Sequence, residues 1–90
     1  MKLKADFKNF LYENIEGMAE SHIEAWKDRY FGYSIQRLKT DLTINHDVSL
    51  ELEMATYELK RELTTNEEQV LINRFNNEVI NQYKHYAERI

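Results

Sequence analysis

The amino-acid sequence predicts an all-α fold, a compact bundle of about four helices in which the first and last helices are long. Three observations carry this prediction. The 90 residues include no proline and only two glycines, so the residues that usually form tight turns are scarce. Apolar residues recur every three or four positions over long stretches, as they do on one face of a helix. The length fits one domain, which we assign to residues 1–90 as a single helical interaction domain.

The first predicted helix covers residues 3–31. Its apolar face steps by three or four residues through Phe7, Leu11, Ile15, Met18, His22 and Trp26. The residues that widen this face are Phe10, Ala19, Ala25 and Tyr30. On this face, His22 is interpreted as a hydrogen-bonded core residue and Trp26 as a core side chain. Gly32 is placed to end the helix in the left-handed conformation.

A short second helix is expected after Ser34, which is placed to cap it. The next segment, residues 42–54, has two interpretations. Its apolar residues fall on even numbers, which is typical of a strand, so an α+β fold with a small hairpin at 42–54 stays open. Helix-favouring residues, and the lack of glycine in the connector 45–47, favour a helix over 48–63.

The last predicted helix has the most regular apolar spacing in the chain. Thr65 and Glu68 have the spacing of a capping box, so this helix is expected to begin there. Its apolar face steps by three or four residues through Ile72, Phe75, Val79, Tyr83, Tyr86 and Ile90. We expect this helix mainly to pack.

Charge and cysteine content restrict the function classes. The net charge is −4, from 16 acidic and 12 basic residues, which is the wrong sign for a protein that neutralises phosphates, so we expect no direct nucleic-acid binding. The absence of cysteine excludes disulfides and fits a reducing cytoplasm. The longest aliphatic run, 70–72, is far too short for a membrane span, and no secretory signal is recognisable. We therefore expect a cytoplasmic protein without membrane contact.

No catalytic motif is recognisable in the sequence. The three histidines, His22, His46 and His85, fall in three separate segments and lack metal-ligand spacing. No serine lies in a glycine-framed nucleophile turn, and no glycine-rich phosphate loop is present. We expect no enzymatic activity, no metal and no cofactor.

An acidic ridge follows the first predicted helix, opposite its apolar face. It consists of Glu13, Glu16, Glu20, Glu24 and Asp28. Carboxylates four residues apart rise about 6 Å along a helix axis, so the ridge could imitate the phosphates of a nucleic acid for a basic protein. The alternative is that the ridge is only the solvated face of an amphipathic helix.

Two apolar features point to contacts with another chain. Tyr30, Phe31 and Tyr33 cluster at the end of the first predicted helix, and large rings often anchor protein interfaces. A second apolar edge on the 48–63 helix, formed by Leu50, Met54 and Tyr57, indicates a homodimer contact. The acidic ridge and the aromatic cluster are the predicted partner-binding residues.

The segment 62–83 resembles the C-terminal helical part of the anti-sigma protein family of T-even phages. The matching residues are Glu62-Leu63-Thr64, Leu71-Ile72, Phe75-Asn76 and Tyr83. The resemblance covers about a quarter of the chain, and it implies an all-helical cytoplasmic protein that binds the sigma subunit of host RNA polymerase. That family uses mainly its N-terminal half to bind sigma, so the resemblance carries no functional residue across.

Taken together, these features predict a small non-enzymatic protein that binds and inhibits or redirects a host protein. The expected source is a phage or mobile element, and the expected target belongs to the host transcription or nucleic-acid machinery, such as the sigma subunit. One alternative is an acidic nucleic-acid mimic that blocks a basic DNA- or RNA-binding protein. A structural homodimer is the further alternative.

Overall fold

The computed structural model describes residues 3–44 and 48–88, and side chains in these ranges as far as His85. The described residues form four helices and no strand: α1 (Ala5–Tyr30), α2 (Ile35–Ile44), α3 (Ser49–Leu59) and α4 (Thr65–Glu88). The all-α prediction is therefore confirmed. The hairpin alternative is wrong, because residues 42–44 continue α2 and residues 49–54 begin α3. The connector 45–47, including His46, lies outside the described residues.

The first and last helices form the main contact of the fold. α1 packs against α4, α2 packs on α4, and α3 packs on α1. The molecule measures 39 × 23 × 23 Å. A helix with the 26 residues of α1 is about 39 Å long, so α1 accounts for the long dimension.

A single hydrophobic core lies between the helices. The largest fully buried side chains are Phe7, Leu38, Leu42, Leu71, Phe75 and Val79. His22 is also buried, and its Nε2 lies 2.6 Å from the hydroxyl oxygen of Tyr30, which confirms the interpretation of His22 as a hydrogen-bonded core residue. The core prediction for Trp26 is wrong: it is exposed, as is Ala25 on the same predicted apolar face, because α3 leaves a groove along that side of α1.

The ends of α1 and α2 follow the sequence prediction. Gly32 has φ +81°, the left-handed conformation expected after the first helix. Ser34 caps α2, since the backbone N–H of Arg37 donates to Ser34 Oγ over 3.1 Å.

Helix α3 is shorter than the predicted 48–63 helix. It ends at Leu59 because Lys60 adopts φ 57°, the left-handed region, and turns the chain out of the helix. Leu63 still packs against the core, but it does so from the connection to α4.

The capping box of α4 lies one residue earlier than predicted. The backbone N–H of Thr64 donates to Glu67 Oε1 over 2.9 Å, and the N–H of Glu67 donates to Thr64 Oγ1 over 3.1 Å. The prediction of Thr65 and Glu68 is therefore wrong by one residue. The buried face of α4 includes Phe75, Val79 and Tyr83 as expected, whereas Ile72 is only half-buried. The side chains of Tyr86 and Ile90 lie outside the described residues.

Candidate protein-binding groove

A groove with a volume of about 670 Å³ lies between α1 and α3. Its lining on α1 extends from Glu13 to Tyr30, and its lining on α3 comes from residues 50, 51 and 54. Asp41 of α2 also reaches the groove. A cavity of this size falls within the range of binding sites in proteins.

Small residues line the groove along α1. Gly17, Ser21 and Ala25 recur every four residues, are exposed, and all line the groove. A Cβ atom added at Gly17 would meet nothing within 4 Å. The backbone of α1 is therefore accessible from the groove along two turns of the helix.

Large apolar side chains flank these small residues. Trp26 on α1 is 42% exposed, and Leu50 and Met54 on α3 are 65% and 40% exposed. Leu50 and Met54 also border a second depression on α3 that includes Tyr57, which is 82% exposed. The apolar edge that the sequence predicts on the third helix is thus exposed, and it continues into the groove.

Trp26 is held in place by the core behind it. Its ring stacks on the ring of His22 with a centroid distance of 6.0 Å, and His22 meets Phe75 edge-on at 5.4 Å. The guanidinium of Arg29 lies 5.5 Å from the centroid of the Trp26 ring. These contacts with His22 and Arg29 hold the Trp26 ring in place while part of it stays exposed.

Tyr30 lies behind the groove and is 2% exposed. Burial raises the pKa of its hydroxyl to about 12. The hydroxyl oxygen of Tyr83 lies 2.9 Å from the Tyr30 carbonyl oxygen and 2.7 Å from that of Tyr33, and both oxygens accept from it. These contacts tie the end of α1 to α4.

The structure does not bring the predicted aromatic cluster together as one surface. Tyr30 lines one end of the groove but is almost fully buried, so little of its side chain is exposed to a partner. Tyr33 is half-buried, with the guanidinium of Arg37 lying 4.3 Å from its ring centroid. Phe31 is 73% exposed, but it does not line the groove.

The five side chains of the acidic ridge are all exposed. Glu13 lines the groove directly. Asp28 follows the groove residue Ser21 by seven positions, which places it two turns further along nearly the same face of α1. Glu16, Glu20 and Glu24 do not line the groove, and Glu24 Oε1 accepts a hydrogen bond from Lys27 over 2.8 Å. The ridge therefore meets the groove at Glu13 and lies beside it at Asp28.

Acidic groups also lie on the other side of the groove. Glu51 of α3 is 7% exposed and lines the groove. Arg29 is the one basic side chain among the described residues that line it, and Arg29 donates to Asp41 Oδ1 over 3.1 Å. The charge balance of the groove is acidic.

Sequence reasoning missed the groove side of α1. It assigned Trp26 to the core and Ala25 to the same apolar face of the first helix. One local signal was available: glycine, serine and alanine recur at four-residue intervals beside the acidic ridge.

The described residues offer no metal centre. No group of three or more histidine, cysteine, aspartate or glutamate side chains among them could hold a metal ion. None of the helices in the described ranges combines the length and apolar character that crossing a bilayer requires.

The fold and the groove define a small helical bundle with one apolar, acid-bordered groove. Comparison of the chain with protein-family models, with curated proteins and with solved structures found no match. The residues that carry the resemblance in segment 62–83 have structural roles here: Leu71, Phe75 and Tyr83 are buried, and Thr64 caps α4.

Proposed function

We propose that this protein is a non-enzymatic regulator that binds a host protein through the groove between α1 and α3 and inhibits or redirects that protein. The observation that supports this proposal is the continuity of the exposed apolar surface. Trp26, Leu50, Met54 and Tyr57 border the groove or its extension along α3. Single exposed apolar residues are ordinary on protein surfaces, whereas contiguous apolar patches with a polar border are typical of interaction sites.

The resemblance in segment 62–83 supports a partner in host transcription. The sigma subunit of RNA polymerase, or another nucleic-acid-binding protein, fits this expectation, and the protein would then act in the cytoplasm of a host invaded by a phage or mobile element. The acidic border of the groove supports the same class of partner, because proteins that bind nucleic acid carry clusters of lysine and arginine.

A nucleic-acid mimic is the second candidate, and the acidic ridge is the observation that favours it. Five exposed carboxylates follow α1 at intervals of three or four residues. A mimic that used only the ridge would leave the apolar groove beside it without a function. We therefore rank groove binding first.

Co-purification from a host-cell lysate tests the proposal, with the tagged wild-type chain compared with two charge-matched double variants. Leu50→Glu with Met54→Glu places two charges in the groove. Tyr12→Glu with Phe31→Glu places two charges at exposed rings that do not line the groove; Tyr12 is 89% exposed. We expect a partner that is captured by the wild type to be lost from the first variant and kept by the second.

The opposite pattern would refute groove binding. Loss of the partner from the Tyr12 and Phe31 variant alone would assign binding to exposed rings outside the groove. A partner that both variants retain would favour the mimic if salt weakens its binding. Salt does so for exposed charges because it shortens the screening length to about 10 Å or less.

A further inference from the structure

We infer that the occupant of the groove is a single amphipathic α-helix of the partner protein, with an apolar stripe facing the groove and lysine or arginine residues along the edge that meets Glu13 and Asp28. This inference rests on the proposed function and specifies the chemistry of the partner. It also gives part of the acidic ridge a role, because Glu13 lines the apolar groove and Asp28 lies beside it.

The length of the groove matches a helix better than it matches a small ligand. Its lining on α1 runs from Glu13 to Tyr30. At 1.5 Å per residue this stretch is about 25 Å long, which equals four to five turns of a second helix lying alongside. A compact small molecule would occupy only part of this length.

The apolar character of the groove also favours a helix over an extended chain. An extended segment needs hydrogen-bond partners for its backbone, usually at the edge of a sheet, and the described residues contain no strand. A helix satisfies its own backbone groups and brings only side chains to the surface it meets. The walls formed by Trp26, Leu50 and Met54 accept such side chains.

The small residues of α1 allow the partner helix to approach closely. Helix axes pack 8–10 Å apart, depending on the side chains at the contact, and the shorter distances need small residues. Gly17, Ser21 and Ala25 supply them on consecutive turns. This explains why a glycine, which weakens a helix by about 1 kcal/mol relative to alanine, stands in the middle of α1.

The charges select a basic occupant and disfavour a second copy of this chain. Between Ser49 and Leu59, α3 carries Glu51, Glu53 and Glu58 and no lysine or arginine. A second copy that inserted its own α3 would place these glutamates beside the acidic ridge, and each copy has a net charge of −4. Lysine or arginine residues on a partner helix would instead face the ridge.

Trp26 provides a direct test, because it is the only tryptophan in the chain and it lines the groove. The peptide to be used is a synthetic helix of about 18 residues, long enough to cover the groove. It has leucine and alanine on one face, lysine on the flanks and no aromatic residue. A matched peptide carries glutamate in place of every lysine. We expect the basic peptide to shift the Trp26 emission saturably and to bind at least about tenfold more tightly than the acidic peptide.

Blocking the groove without changing its charges separates groove binding from general attraction to an acidic protein. In Gly17→Leu the new side chain enters open space, since a Cβ there meets nothing within 4 Å, and leucine favours helix more than glycine does. We expect this variant to remain folded by circular dichroism and to bind the basic peptide at least about tenfold more weakly than Gly17→Ala, its matched control.

Neutralising charges without blocking the groove tests whether the acidic side chains at its border contribute to binding. Glu13→Gln with Asp28→Asn removes two ridge carboxylates at the groove. Glu62→Gln with Glu68→Gln removes two exposed carboxylates elsewhere. We expect the first pair to weaken binding of the basic peptide several-fold more than the second pair.

The outcomes distinguish the inference from the proposed function. Equal binding of the two peptides, or equal weakening by the two neutralised pairs, overturns the basic-helix inference; if Gly17→Leu still prevents peptide binding, groove binding itself stands. Binding of the basic peptide that Gly17→Leu leaves unchanged overturns both, because the ligand would then lie outside the groove.

Discussion

Arg61 joins the first turns of two helices that are distant in the sequence. Its guanidinium donates to both carboxylate oxygens of Asp6 in α1, over 3.0 and 3.1 Å, and to both oxygens of Glu67 in α4, over 2.8 and 2.9 Å. Both acids lie at helix N-termini, where negative charge is favourable. The hydrogen bonds from Arg61 hold the pKa of Glu67 at about 2, far below its ordinary value, although burial of the carboxylate acts in the opposite direction.

This contact decides a register that the sequence left ambiguous. Two threonines, Thr64 and Thr65, precede two glutamates, Glu67 and Glu68, so the same capping pattern fits twice. Local spacing cannot choose between them. The pairing of Glu67 with Arg61, which is also held by Asp6 from the other end of the sequence, selects the earlier register.

Substitution of the two glutamates tests the register. Glu67→Gln should lower the free energy of unfolding by about 1–3 kcal/mol, because it removes the charge that accepts from Arg61 and from the Thr64 N–H. Glu68→Gln, at an exposed position one residue later, should change it by no more than about 0.5 kcal/mol. Urea unfolding followed by circular dichroism measures both, and a larger loss in Glu68→Gln would return the cap to the predicted position.

Low pH should remove the contribution that Glu67 makes to the free energy of unfolding. The pKa of Glu67 falls from 4.5 to about 2 on folding, so its contribution to stability is fully present above about pH 4.5 and is lost as the pH falls towards 2. The pKa of Asp6 is also lowered, first by its hydrogen bond from Arg61. The difference in unfolding free energy between wild type and Glu67→Gln should therefore shrink below about pH 4. A difference that stays constant from neutral pH to about pH 2.5 would contradict the role of Glu67.

At the scale of whole elements, the helices follow local patterns except where one of them ends. Gly32 ended α1 as predicted, since glycine adopts positive φ without strain. Helix α3 ends at Lys60 with φ 57°, and no glycine marks the position. The apolar spacing continues from Leu59 to Leu63, so the sequence pattern predicted four further helical residues. The residue after this turn, Arg61, contacts Asp6 and Glu67, so the end of α3 coincides with contacts that are distant in the sequence.

Glycine at position 60 should stabilise the protein. A left-handed conformation costs an L-residue about 1 kcal/mol, and glycine avoids this cost, so Lys60→Gly should raise the free energy of unfolding by up to about 1 kcal/mol. Gly32→Ala should lower it by a similar amount, since a Cβ there meets no other atom within 4 Å and the penalty comes from the backbone alone. Chemical unfolding of the two variants measures both changes, and a loss of stability in Lys60→Gly would show that the lysine side chain contributes more than the backbone strain costs.

At the scale of the molecule, the helices and most of the core follow from sequence periodicity, whereas the groove does not. Periodicity assigns a buried face to a helix but does not say which neighbour covers it. Trp26 and Ala25 lie on the predicted apolar face of α1, yet α3 leaves both exposed. The groove is a consequence of how two amphipathic helices meet, and only the assembled fold defines it.

Stability is unevenly distributed over this fold. In α3 only Glu51 and Ala55 are buried, whereas α4 buries residues on each successive turn from Glu67 to Tyr83. Helices with few buried contacts open locally at a lower free-energy cost than the global unfolding reaction. The helix that forms one wall of the groove is therefore less firmly anchored than α4, which permits adjustment to a partner.

Hydrogen exchange should reveal this difference and its link to binding. Backbone amides of α3 should exchange faster than those in the middle of α4, because local opening of α3 breaks few buried contacts. A ligand that occupies the groove binds only the closed arrangement, so the basic helical peptide should slow exchange in α3 and in the Gly17–Trp26 part of α1, with little change around Arg61. Mass spectrometry of peptic fragments, with and without the peptide, measures both effects, and Gly17→Leu serves as the control in which protection by the peptide should disappear.

Equal protection of α3 and α4 in the free protein would mean that α3 is anchored as firmly as the core helices. Slowing that appears around Arg61 instead of in α3 would move the binding surface to the opposite end of the bundle.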